Sequence, residues 1–197
     1  MPSPALKPRL RERLQHDAAQ GAWYDGPRRY LVLRPDSLMG ALRGLDVATR
    51  ANVFETLAQS LQCHGGDSLR AYAASLGADS GAMIRATVDA AADFGWGRWT
   101  IERHDGSLEL VVRHSPFAAG WLAAGKTAPG QSSSAASSAT SAGTDTPTVC
   151  APILGMFAAL AETLGERALQ VRETECAAQG HALCRFHAAL RGRSAPW

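Results

Sequence analysis

The chain has 197 residues, 46% of them hydrophobic and 19% charged, which is enough for one domain with its own core. Its net charge is only +2, which excludes a general electrostatic partnership with nucleic acid or a membrane surface. The first residues, MPSPALKPRLRERLQHDAAQG, contain no apolar core and do not read as a signal peptide.

No run of about 18 apolar residues exists to span a membrane. A cytoplasmic location is therefore expected. Structural disulfides are disfavoured in such a reducing compartment, and clustered thiols lean toward metal or redox roles.

In chain order, Lys7 to about Gln20 reads as a charged helix with Leu6, Leu10 and Leu14 on one side. RRYLVLRP reads as a strand ending at Pro35, which cannot donate to a ladder. Asp36 or Ser37 can cap a short helix, SLMGALRGL, and Asp46 can cap the next, VATRANVFETLAQSLQCH. DSLRAYAASL and DSGAMIRATVDAAADFG predict two more helices, the second stopped by Gly95.

The period then falls to two. GRWTIERHDGSLELVVRHS predicts a hairpin turning at Asp105-Gly106, with Leu108, Leu110 and Val112 on one face. A Ser/Ala/Thr/Gly-rich stretch at about 125–147 has too little apolar surface to offset ordering and predicts a disordered insertion. A helix, VCAPILGMFAALAETLGE, and two strands, ALQVRETEC and ALCRFHAAL, follow. These elements describe an α+β domain with an antiparallel sheet packed against helices. The expected division is a helical extension over 1–24, the domain over 25–190 and a flexible tail over 191–197.

Three of the four cysteines lie between 150 and 184, with a glutamate among them. In QVRETECAAQGHALC, Leu169, Val171 and Glu173 share one strand face, so Glu173 points where its apolar neighbours point. A buried carboxylate without a partner is costly. Cys176 follows at the strand's end, and Cys184 opens the return strand. Cys150 precedes a helix whose N–H groups favour a thiolate. A disulfide, a buried thiol cluster and a four-ligand zinc site all remain open on spacing alone. Arg172 and Arg185 are near enough in sequence to offset the charge of three thiolates and a carboxylate.

The terminal pattern E-x-x-C-x-x-x-G-x-x-x-C-x-F, preceded by Cys150, resembles the 4-vinyl reductase domain family. GWGRWTIERHDGSLELVVRHSPFAAG resembles that family's central hairpin, and RRYLVLRPDSLMGAL its opening strand and helix. The resemblance implies an α+β sandwich related to trafficking-complex subunits. Such domains are usually homodimers with a pocket for a small hydrophobic molecule. It also implies a structural zinc held by Cys150, Glu173, Cys176 and Cys184. Glu175 is the rival carboxylate, one residue before Cys176 instead of three. Aromatic-sensing relatives place a Trp just before the serine at the hairpin's end. Here Val112, Arg113 and His114 precede Ser115, which argues against phenol-type recognition.

Candidate pocket residues are Trp96, Trp99, His114, Phe117 and Trp121 around the hairpin, with Phe54, Met83, Phe94, Met156 and Phe157 from helices. GWLAAGKT matches the phosphate-loop pattern by letter, but APGQSSS after it is a poor helix and the stretch is apolar, so it reads as a chance match. No nicotinamide or flavin signature occurs, and a reductase activity would rest on the family's name. Cys63 reads as a buried or half-buried free thiol, His64 and His181 as lone histidines, and Arg28 and Arg29 as surface residues. The expected function is non-catalytic sensing or carrying of a small hydrophobic or aromatic molecule. The alternatives are a tetrapyrrole-pathway protein and a protein–protein adaptor.

Overall fold

In the computed structural model, which describes residues 10–76, 80–126, 146–164 and 168–190, the alternating stretches form sheets and the 3.6-periodic ones form helices. In chain order these are α1 (Leu10–Arg13), β1 (Gln15–Asp17), β2 (Ala22–Asp25), β3 (Arg28–Tyr30), α2 (Pro35–Arg43), α3 (Val47–Leu76), α4 (Ser80–Asp93), β4 (Arg98–His104), β5 (Ser107–Arg113), α5 (Pro116–Lys126), α6 (Ala151–Thr163), β6 (Ala168–Glu175) and β7 (Cys184–Leu190). The expected insertion at about 125–147 falls mostly outside the described residues, as does the tail.

The N-terminal helix expected over Lys7–Gln20 is corrected. α1 spans four residues, and β1, β2 and β3 form a small antiparallel meander. Asp17 is the local cause. Its Oδ1 accepts the N–H groups of Ala19 (2.9 Å) and Gln20 (3.1 Å), which turns the chain instead of continuing a helix. Arg13 then grips Asp25 at 3.1 and 2.8 Å, tying α1 to β2. The same guanidinium holds the Asp25 carboxyl below its ordinary value.

The strand expected to run to Pro35 stops at Tyr30. Leu31 and Val32 are 83% and 80% exposed and pair with nothing among the described residues. Pro35 instead opens α2, where its missing N–H costs nothing. Neither Asp36 nor Ser37 caps that helix, because the cap position belongs to Arg34. Asp46 does receive the Thr49 N–H at 3.0 Å ahead of α3.

Two helices expected around Gly65-Gly66 are one 30-residue helix, α3. The glycines mark close approach, not a break. A Cβ on Gly65 would lie 2.1 Å from Met156 Sδ, and one on Gly155 would lie 2.1 Å from the Ala58 carbonyl oxygen. α3 and α6 therefore pack nearly backbone to backbone. α6 is buried almost all round, as a helix apolar on every side must be. α4 ends as expected at Gly95, whose φ of 73° lets Trp96 N–H reach the Ala91 carbonyl at 2.8 Å.

β4 and β5 form the expected hairpin, with His104 facing Ser107 across Asp105-Gly106. The larger sheet is antiparallel in the order β4-β5-β7-β6. Leu108, Leu110, Val112, Phe186 and Ala188, all fully buried, line its inner face and meet α6 through Ile153 and Phe157. Each of the large side chains among them contributes about 1.5–3 kcal/mol by leaving water. The P-loop-like letters fold as α5. Gly120 there allows contact with α2, since a Cβ would lie 2.7 Å from the Pro35 backbone.

Candidate metal centre and an apolar cavity

Cys150 stands at the N-cap of α6, and Pro152 follows in its first turn. Cys176 ends the turn off β6, where its carbonyl accepts the Gln179 N–H at 2.9 Å. Gly180, with a φ of 97°, returns the chain so that Cys184 can open β7 on the sheet's inner face. All three thiols are fully buried.

The carboxylate is selected by a bulge. Glu173 pairs with Phe186, and Glu175 with Arg185, because the register shifts between them. Cross-strand partners share a face. Glu173 thus points inward with Phe186, while Glu175 points outward and meets Arg185 Nε at 3.4 Å. Strict alternation would have sent both glutamates to one side.

The ligand atoms of Cys150, Glu173, Cys176 and Cys184 lie within 4.8 Å of one another. Cys150 Sγ is 3.6 Å from Cys184 Sγ, far beyond a disulfide bond. The Cys150 N–H donates to Glu173 Oε2 at 3.1 Å, and the Ala177 N–H to Cys184 Sγ at 3.3 Å. Glu173 Oε1 is buried with no hydrogen-bond partner. Burial, then charge on Cys176, pushes the Glu173 carboxyl up to about 9. Hydrogen bonds to Cys176 and Cys184, then burial, hold the Cys150 proton on. Thiol hydrogen bonds from Cys150 and Cys176 lower Cys184. Three sulfurs and one orphaned oxygen form a donor set that could hold a metal ion, and a cation there would relieve the carboxylate.

Ser115 was missed in sequence. It is 4% exposed, and its hydroxyl lies 3.2 Å from Cys150 Sγ. It also receives the Ala118 N–H at 3.4 Å at the start of α5. Only its place at the hairpin's end could have pointed to it. Arg172 and Arg185 do not face the thiols. Arg172 is exposed, and Arg185 lies on the outer face, paired with Glu109 and Glu175. Cys63 is exposed, because it lies on an outward face of α3. His64 and His181 are exposed, as are Arg28 and Arg29.

An apolar cavity of about 280 Å³ lies between α3, α4 and β4. Trp96, Trp99 and Met156 line it, with Met83 and Phe94. The other expected pocket residues lie elsewhere. His114 is exposed, with a left-handed φ of 59°. Phe157 is fully buried core. Phe117 packs edge-on against Trp96 at 5.5 Å. Trp121 lies between the Arg43 and Arg50 guanidiniums, 5.0 and 5.4 Å from its ring centre. Leu61, Ser68, Leu69, Thr87 and Ala90 also line the cavity. Their helical spacing was readable only once α3 is known to be continuous.

A second recess of about 430 Å³ lies between α3, α6 and β6, with Phe54 on its wall. Glu55, Gln59, Gln62 and Glu162 make it polar, and it reaches Glu173.

Helices on an antiparallel sheet, with a buried thiol–carboxylate cluster beside an apolar cavity, define a mixed α/β domain of the sensory type. Residues 135–190 match the model of the 4-vinyl reductase domain family, so the chain carries the type of domain that its terminal motif resembles. No curated protein sequence matches the chain. Among solved structures, it is similar to the phenol-responsive sensory domain of the transcription activator PoxR. The TM-score is 0.68 at 19% identity, over 92% of this chain and 86% of that one. A second match is trafficking protein particle complex subunit 3 from Naegleria fowleri, covalently bound to palmitic acid. Its TM-score is 0.43 at 12% identity, over 80% of this chain and 95% of that one. No helix among the described residues is long and apolar enough to cross a membrane.

Proposed function

We propose that this chain is a non-catalytic binding domain that senses or carries a small hydrophobic or aromatic molecule, with a structural zinc holding its C-terminal hairpin. The observation that carries the reading is the apolar cavity of about 280 Å³ walled by Trp96, Trp99, Met83 and Met156. The PoxR domain, which shares this fold, binds phenol according to its description. The zinc would be held by Cys150, Glu173, Cys176 and Cys184. Four protein ligands leave no open position, so the ion would brace β6 and β7 against α6 and do no chemistry. Three reduced thiols suit a cytoplasmic setting.

A tetrapyrrole fits poorly, because four pyrrole rings exceed a cavity about twice the ~150 Å³ that accepts one benzene. An adaptor without a ligand needs no such cavity. The test is calorimetric titration of metal-loaded protein with neutral aromatic compounds. Saturable binding supports the reading; no heat with any of them removes it.

Ser115→Ala is expected to weaken zinc retention roughly tenfold, because partners that orient a ligand contribute about 10–100-fold to affinity. Competition with a chromogenic chelator reads this, and Ser115→Thr should restore it. Unchanged retention would confine Ser115 to capping α5.

The chain would also form a homodimer. Leu31, Val32 and Leu33, 83%, 80% and 52% exposed, are strand-forming residues with no strand beside them, and a second copy could cover them. Light scattering should give a dimer for wild type and a monomer for Leu31→Asp/Val32→Asp. A monomeric wild type removes the dimer.

A further inference from the structure

We infer that the apolar cavity selects neutral two-ring aromatic hydrocarbons, the naphthalene class, over phenols and over aromatic carboxylates. The inference rests on the reading of this cavity as a ligand site.

Three observations carry it. The first is charge. Among the described residues, no Asp, Glu, Lys, Arg or His lines the cavity. A carboxylate or ammonium would enter without a counter-ion, and that costs several kcal/mol. The second is hydrogen bonding. The interior donors are already used: Trp99 Nε1–H donates to the Trp96 carbonyl at 3.1 Å, and the Thr87 hydroxyl to the Met83 carbonyl at 2.9 Å. The hydroxyls of Ser68 and Tyr30 make no hydrogen bond among the described residues. Tyr30 stands beside the exposed Leu31, at the end of the cavity open to solvent. A polar ligand group could therefore be met only near the entrance, and an acceptor carried deeper would lose its water uncompensated.

The third observation is size. A cavity of about 150 Å³ takes one benzene. At about 280 Å³ this one is nearly twice as large. A single ring would leave close to half of the walls without contact partners. Two fused rings would fill it. The walls suit flat rings: Trp96, Trp99 and Phe94 offer faces and edges, while Met83 and Met156 adjust their thioethers to the remaining gaps.

The experiment is calorimetric titration of the reduced, metal-loaded full chain with naphthalene, phenol and 2-naphthoate. Naphthalene is expected to bind at least about tenfold more tightly than either. Ala86→Leu and Ala90→Leu, on the α4 wall, each shorten the cavity. Either variant that keeps its metal and its far-ultraviolet spectrum should lose naphthalene affinity by about tenfold while retaining toluene. Phenol or 2-naphthoate binding as tightly as naphthalene overturns the ligand class but leaves the binding function standing. Naphthalene affinity unchanged in both folded variants overturns the assignment to this cavity. No binding of any of the four compounds overturns the inference and the proposed function together.

Discussion

Protein purified under reducing conditions without added metal is expected to carry about one zinc per chain, and Cys176→Ser to lose it. The loss should lower the melting temperature by on the order of 10 °C. Removing one partner from a buried charged cluster costs about 3–5 kcal/mol, and each kcal/mol moves a domain of this size by about 2–4 °C. Glu173→Gln separates metal binding from packing. In metal-free protein, burial pushes Glu173 up to about 9, so at pH 7 it is already protonated and close to glutamine in shape and charge. The substitution should then change metal-free stability little, yet weaken zinc retention strongly. Metal should also leave as pH falls, because protons compete for the thiolates and the carboxylate. Elemental analysis and thermal melts of the two variants, with and without chelator, decide the matter. No metal in reduced wild type, with unchanged melting in Cys176→Ser, would leave the thiols as ordinary core.

Gly155→Ala is expected to be among the most destabilising small substitutions in the chain. Its Cβ would lie 2.1 Å from the Ala58 carbonyl oxygen and 2.9 Å from the Ala58 carbonyl carbon. A backbone atom cannot rotate away as a side chain can, so α3 and α6 must separate along their contact. Overpacking of this kind costs about 1–3 kcal/mol where side chains yield, and more where backbone must move. The gain of about 1 kcal/mol from replacing a mid-helix glycine does not offset it. Gly65→Ala, whose Cβ would lie 2.1 Å from the Met156 sulfur, should cost less, because a flexible side chain can swing aside. It should also intrude on the cavity that Met156 lines. Chemical denaturation of both variants tests the order. Equal stability of Gly155→Ala and wild type would mean that the helices are not packed this closely.

The hairpin from Arg98 to Arg113 and the stop of α4 at Gly95 were legible in sequence, because alternation, an Asp-Gly turn and a helix-ending glycine act through neighbours in the chain. The same locality made Gly65-Gly66 read as a break. Their reason is Met156, about ninety positions away. It also left Arg172 and Arg185 beside the thiols on paper, although the pleat turns them to the outer face.

By itself the sequence determined which residues could form a metal site, since three thiols and an inward glutamate recur at family spacing. It determined the elements of the sheet and the buried helix α6 in the same way. Only the tertiary structure decided which glutamate turns in, through a bulge between Glu173 and Glu175. Only it separated Trp96 and Trp99, which wall a cavity, from Phe117, Trp121 and Phe157, which fill the core. The physical reason is that apolar side chains obey one rule of burial, and whether they close on each other or leave a space depends on how far apart the backbones behind them are held.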